Sequence, residues 1–379
     1  MAVSGFGVGL GLLREILIIQ QLGFSEVNDQ LQIYLSVIYI VSLLNEAVRL
    51  GAINLLQSAS LSRTLLSILP LGALYSLVAT GWVWWLLKPA SLWLLLGAGI
   101  SGWLNMAMVL LVTERQRSGK FWPAHIINLL PNALLIPGIL IVGWLSPPDP
   151  VPALAVMYFG LPVVQILLLL LIKTKADPAQ GIELPKNGIF LAHSSSAIGG
   201  LVFQGVLRQQ GLQTGDGVLA MLSIAIRMYD SIKFIIVDTL IGKKLADWKE
   251  SQDLTRAISW CKRLTTPQFL LTGIGLLVAL FLGQVEGQRA ISALAVLLVS
   301  VGSFGLRVVY FMVNSMVSSR KLAWAYGLQD IVAAVALAVL AWFGWIWPAM
   351  LIWVWYLAKP LGQLIFVTRS AEKITEAKA

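Results

Sequence analysis

Apolar runs of about 20 residues or more, separated by short polar breaks, repeat along nearly the whole of this 379-residue chain. A run of that length crosses the hydrocarbon core of a bilayer as a helix. The runs predict twelve helices, over 5–22, 30–56, 65–87, 91–113, 121–145, 151–172, 188–207, 217–242, 264–283, 290–317, 322–343 and 348–368. Helices are required because backbone amides in lipid must pair within their own segment. Composition agrees: 58% of the residues are hydrophobic and 12% charged, against about a quarter charged in a soluble domain. The expected class is therefore all-α, a polytopic membrane protein of about twelve transmembrane helices. The loops are too short to hold a soluble domain. The first run lacks a basic leader before it and reads as a retained helix, not a signal peptide.

The net charge of +9 does not point to nucleic acid, because the basic residues flank the spans. Arg63, Arg115, Arg117, Lys120, Lys173, Lys175, Lys186, the group from Lys243 to Arg263, Arg320, Lys321 and the tail from Arg369 hold 18 of the 27. The alternate loops hold only Lys88, Arg208 and Arg289. The positive-inside rule places the rich set, and both termini, in the cytoplasm; the expected location is a bacterial inner membrane. Trp82, Trp84, Trp85, Trp93, Trp144, Trp342, Trp345 and Trp347 cluster at the opposite ends, where they read as an interfacial belt anchored in lipid. One cysteine, Cys261, and two histidines leave no disulfide and no metal cluster.

The polar loop 173–187 divides the spans six and six. The division predicts an N-terminal lobe over 1–172 and a C-terminal lobe over 188–379. After the loop the pattern restarts: IIQQLGFSEVNDQLQIY in the first half answers VLRQQGLQTGDGVLAML in the second, with Asp29 and Asp216 in the matching loops. Equal orientation of two six-helix halves implies an axis along the membrane normal. The first span opens with glycines at 5, 7, 9 and 11, and the seventh contains AHSSSAIGG. Such segments mark either a transport site or tight packing through small residues.

Eleven charges fall inside the spans: Arg14, Arg49, Arg227, Lys233, Arg307, Lys359, Glu15, Glu46, Asp230, Asp238 and Asp330. Each costs at least about 2.5 kcal/mol at the bilayer centre, so they need partners or water. Glu46–Arg49 and Arg227–Asp230 are spaced to meet on one helix face. Gly7, Arg14 and Gln21 form a stripe of period seven. The pattern predicts a hydrated cavity among helices 1, 2, 7 and 8; buried ion pairs that only set helix register would give the same residues. Candidate substrate contacts are Arg14, Arg227, Arg49, Lys233 and Gln21. Glu15, Glu46, Asp230 and Asp238 are candidate counter-charges or coupling-ion ligands. Planar guanidinium groups suit diphosphate oxygens.

The stretch GLLREILIIQQLGFSEVNDQLQIY resembles the first helix pair of MurJ-type lipid II flippases, with Gly11, Arg14-Glu15, Leu22-Gly23 and Asp29 in the matching places. Ala225, Arg227 and Met228 resemble the family's Ala-Asp-Arg-Leu helix, and Gly51 is also similar. The resemblance implies the multidrug/oligosaccharidyl-lipid/polysaccharide exporter superfamily: two six-helix lobes that alternate access. It implies a Wzx-like or MurJ-like cargo, an undecaprenyl-diphosphate-linked oligosaccharide, with Arg14 and Arg227 on the diphosphate. Gln20 stands where the family has a second arginine, and Ile226 where it has an acid. The expected cargo is therefore an exopolysaccharide or O-antigen-like precursor, not lipid II itself. The resemblance implies no enzyme activity and no cofactor; Na⁺ or H⁺ is the expected coupling ion. Polysaccharide-assembly membrane proteins are the expected partners. A cation/drug antiporter, a membrane glycosyltransferase and a non-transporting scaffold remain as alternatives. Loops of about ten residues on the non-cytoplasmic side argue against the glycosyltransferase.

Overall fold

The computed structural model describes residues 2–58, 61–87, 91–117, 121–172, 188–223 and 320–344, with the single positions 226, 351 and 355. Among these residues every regular element is helical. They are α1 (Ala2–Leu22), α2 (Glu26–Ser58), α3 (Leu61–Leu86), α4 (Leu92–Arg117), α5 (Phe121–Leu145), α6 (Val151–Leu171), α7 (Gly188–Thr214) and α8 (Arg320–Trp342). A further helical stretch opens at Val218. The spans expected at 264–283 and 290–317, the linker 173–187, and most of those at 217–242 and 348–368 lie outside the described residues.

Local chemistry sets the element ends. Gly23 adopts φ +61°, the left-handed conformation that closes α1, and its N–H reaches Ile19 O at 2.8 Å. Two residues on, Ser25 starts α2. Its hydroxyl accepts from the Asn28 N–H at 3.3 Å, which occupies one of the donors that a helix N-terminus leaves over. Asn28 Nδ2 returns to Gly23 O at 2.6 Å. The turn between the first two helices is thus tied from both sides.

Helices α1 to α6 pack around one apolar core that includes Ile18, Ile33, Val37, Tyr75, Leu110 and Ile139. Small residues let the backbones approach. A Cβ on Gly102 of α4 would lie 2.7 Å from Tyr75 O of α3, and one on Gly97 would lie 2.9 Å from the Phe159 ring of α6. The Ser76 hydroxyl donates to Gly99 O at 2.8 Å and so satisfies itself across the same α3–α4 seam. Helix α7 packs against α8 as closely, with a Gly199 Cβ position 2.7 Å from the Asp330 backbone, and also lies along α2.

Large apolar side chains cover the outer faces: Leu77, Trp93, Trp144, Leu171 and Trp342 are each more than two-thirds exposed. Such a surface needs an apolar solvent. By length and composition, Leu92–Val112 and Val151–Leu171 are sufficient to cross a membrane. Trp84, Trp85, Trp93, Trp144 and Trp342 are exposed as an interfacial belt requires. Trp82 is not part of that belt. It is buried, and its indole N–H donates to Ser36 Oγ of α2 at 2.8 Å.

Helix α7 is longer than the expected 188–207. It runs through Gln209-Gln210-Gly211 to Thr214. The register of the internal match shifts with it: Gly23 closes α1, whereas Gly211 lies within α7, where a Cβ would stand 3.2 Å from Leu219 Cβ. The turn after α7 is made instead by Gly215 and Gly217, both with positive φ.

Replacing Gly102 by Val should force α3 and α4 apart and cost about 1–3 kcal/mol. The expected sign is a lower unfolding temperature in detergent, followed by tryptophan fluorescence. Gly81→Ala, where nothing lies within 4 Å of the added atom, should leave that temperature unchanged or raise it.

Candidate functional site

Arg14 stands near the middle of the 21-residue helix α1. Both it and Glu15 are buried. Neighbouring residues on a helix point about 100° apart, so these two side chains must bend toward each other to meet. They do: Arg14 Nε and Nη2 both donate to Glu15 Oε1, at 2.9 and 2.5 Å. The pair is neutral, which removes most of the cost of a lone cation at this depth. A phosphate oxygen can take the place of a carboxylate oxygen before the same fork.

A second set of contacts gathers at the end of the bundle where α1 turns into α2. Asp29 is 2% exposed. Its Oδ2 accepts from the Gly217 N–H at 2.7 Å and its Oδ1 from the Ala220 N–H at 2.6 Å. Those amides lead the helical stretch that opens at Val218. Asp29, from a distant part of the chain, thus does what a capping side chain does within its own helix, and sets a negative charge on the positive end of the dipole. The turns themselves touch. A Cβ on Gly217 would lie 2.4 Å from the Phe24 carbonyl carbon, and its φ is +76°. Only glycine fits there. Asp216, the sequence counterpart of Asp29, is exposed.

Deeper along the same seam, Arg208 of α7 is buried. Its guanidinium carbon lies 5.6 Å from the Trp82 ring centroid of α3 and 5.9 Å from that of Tyr39 of α2. Its Nη1 donates to Gln204 Oε1 one turn earlier. Gln210 Nε2 donates to Ala341 O at 3.3 Å and ties the end of α7 to α8.

The expected site residues divide three ways. Arg14 and Glu15 meet. Gln21 does not extend their stripe toward a cavity; its amide donates to Ile139 O of α5 at 2.8 Å and fills the space left by Gly143. Glu46 and Arg49 lie one turn apart on α2, with their side chains outside the described residues. Arg227, Asp230, Lys233 and Asp238 lie outside them altogether. Sequence reasoning assigned Arg208 to a loop and treated Asp29 as a mark of the repeat. A seam between segments almost 200 residues apart leaves no local signal. The one available sign was an arginine about two helical turns short of the Gly215–Gly217 pair.

No protein-family model and no curated protein matches the chain. Solved structures do. A structure titled as lipid II flippase MurJ in an inward closed conformation aligns over 98% of this chain and 87% of its own, with a TM-score of 0.66 at 16% identity. An inward-facing multidrug resistance transporter of the MATE family, in the MOP superfamily, aligns over 97% and 100%, with a TM-score of 0.54 at 12% identity. A MATE crystal structure in complex with MaD3S aligns over 99% and 94%, with a TM-score of 0.52 at 14% identity. At these identities the likeness establishes the fold: a multi-pass, all-α membrane protein built as these transporters are.

Asp29→Ala should release the amides of Gly217 and Ala220. In hydrogen exchange followed by mass spectrometry, peptides covering 215–222 should lose about tenfold protection or more, as expected for loss of charged caps worth roughly 1–2 kcal/mol. Peptides from α4 should keep theirs.

Proposed function

We propose that the chain is an alternating-access flippase that carries an undecaprenyl-diphosphate-linked oligosaccharide outward across a bacterial inner membrane. The buried Arg14–Glu15 pair at mid-depth in α1 is the observation that carries the reading. A flippase for a lipid diphosphate must hold an anion in a place where anions are costly, and must let it go. A guanidinium already neutralised by a carboxylate meets both needs. The diphosphate displaces Glu15 from Arg14, and Glu15 returns when the cargo leaves. At neither stage does an uncompensated cation stand in hydrocarbon.

With cytoplasmic termini, α1 runs outward and the Asp29 contact lies at the outer end. In this reading the Asp29 contact closes the outer end, and cargo enters from the cytoplasmic side. Two lobes, 1–172 and 188–379, rock about the seam between α2 and α7. In this reading Arg227, Arg49 and Lys233 are the further diphosphate contacts, and Glu46, Asp230 and Asp238 are their counter-charges. The sugar sits in water between the lobes while the prenyl chain stays in lipid. No bond is made or broken, so no catalytic group is required. A gradient of Na⁺ or H⁺ drives the cycle; Glu15, once displaced, is the natural ligand for either. Enzymes and membrane proteins of polysaccharide assembly supply and remove the cargo.

The two MATE-type neighbours support a second reading, a cation/drug antiporter. In it Glu15 binds the cationic drug and Arg14 is its resting partner. Reconstituted vesicles separate the two. Arg14→Ala and Arg227→Ala should each lower flipping of a prenyl-diphosphate oligosaccharide by about tenfold or more, the loss expected for one charge-assisted hydrogen bond of roughly 1.5–3 kcal/mol. Arg14→Lys should retain part of it. Unchanged rates in both alanine variants would sink the flippase reading. Export of a cationic dye that ignores the lipid substrate would favour the antiporter.

A further inference from the structure

We infer that Arg208, Tyr39 and Trp82 form a cation–π latch that holds the α2–α7 seam shut and so sets how often this end of the protein opens. The inference rests on the alternating-access reading and deepens it by naming a control on the cycle.

The box is built rather than incidental. Trp82 is fixed at its N–H by Ser36 and at its edge by Trp85, whose ring stands at 70° to it with centroids 6.1 Å apart. Helix α7 offers no side chain where the tryptophans press on it: a Cβ on Gly205 would lie 2.5 Å from the Trp85 ring and 3.3 Å from the Trp82 ring. Three residues later the same helix delivers the guanidinium, which Gln204 Oε1 steadies. Two rings from α2 and α3 thus receive one cation from α7, within the distance at which the ring quadrupole attracts it.

The contact differs in kind from the Asp29 cap farther out. The cap is a charge on backbone amides. The latch is an attraction of the cation to ring faces, and it is stronger where water is excluded. When α7 leaves α2 and α3, the rings lose their cation and the cation loses its rings. Water must enter the seam to make good that loss. Wetting of the seam is therefore part of opening, and the latch opposes it.

The test uses the full-length protein with Cys261→Ser, reconstituted in vesicles. Val27→Cys on α2 and Gln213→Cys on α7, both exposed, carry spin labels on the two sides of the seam. The weights of short and long inter-label distances give the ratio of closed to open states. Arg208→Met and Tyr39→Leu should each raise the open fraction about tenfold. Tyr39→Phe, which keeps the ring, should stay near the parent. Combining Arg208→Met with Tyr39→Leu should add little to Arg208→Met alone, because without the guanidinium the Tyr39 ring has no cation left to lose. Two distances whose weights ignore all these changes would overturn the latch and leave the transport reading intact. A single distance in every sample, with or without a prenyl-diphosphate oligosaccharide, would overturn both. If Arg208→Met does not fold, the Tyr39 pair decides: equal open fractions for Phe and Leu would count against the latch.

Discussion

A backbone amide in hydrocarbon has no water to turn to. That constraint governs every described element, because each N–H and C=O must find a protein partner or bear a cost of several kcal/mol. Within a helix the partners are four residues away. At a helix end they are not, and there the sequence must provide. Gly23, Ser25 and Asn28 provide for the first turn from within it. The start of the helical stretch at Val218 takes its provision from Asp29 instead. A local need is thereby met by a distant residue, and a helix cap becomes a joint between two parts of the molecule.

The same lack of water governs the charges. Arg14 is steadied by Glu15, and Arg208 by two aromatic rings and an amide oxygen. These are different answers to one problem, and they suit different tasks. An ion pair can be exchanged for another anion without changing the shape around it. A cation held by ring faces has no such substitute and depends on the packing that brings the rings close.

Much of the fold was legible in the sequence because apolar length is a local property. The expected ends of α5 agree with the structure, and those of α6 and the C-terminal end of α1 lie within a residue of it. Helix α7 ran past its expected end because Arg208 and the two glutamines look like loop residues until their partners are known. Arg208 is covered by aromatic rings and the Gln210 amide donates to a carbonyl of α8, none of these partners near in sequence. Trp82 failed in the opposite sense. It sits in a cluster of tryptophans that are otherwise exposed, and the hydroxyl of Ser36 and the Arg208 guanidinium hold it inward. Of the candidate site, the Arg14–Glu15 adjacency was plain to read. Gln21 fits the same seven-residue stripe, yet its amide is taken by α5. Periodicity says which residues share a face; it does not say what that face meets.

Helix α7 meets its neighbours through glycine in three directions. Gly199 lies against α8, Gly205 against the tryptophans of α3, and Gly211 against Leu219. The three are spaced six residues apart, and six residues turn a helix by about 600°, so successive contacts differ by roughly 240°. They are spread evenly around the axis. A helix with glycine at its tight contacts has few side-chain knobs there to lift out of their holes. At those three points the helix can turn without lifting a knob from a hole. Between them Phe203 and Leu207, both fully buried, key it to its neighbours, so resistance to turning is set by the residues between the glycines and not at them.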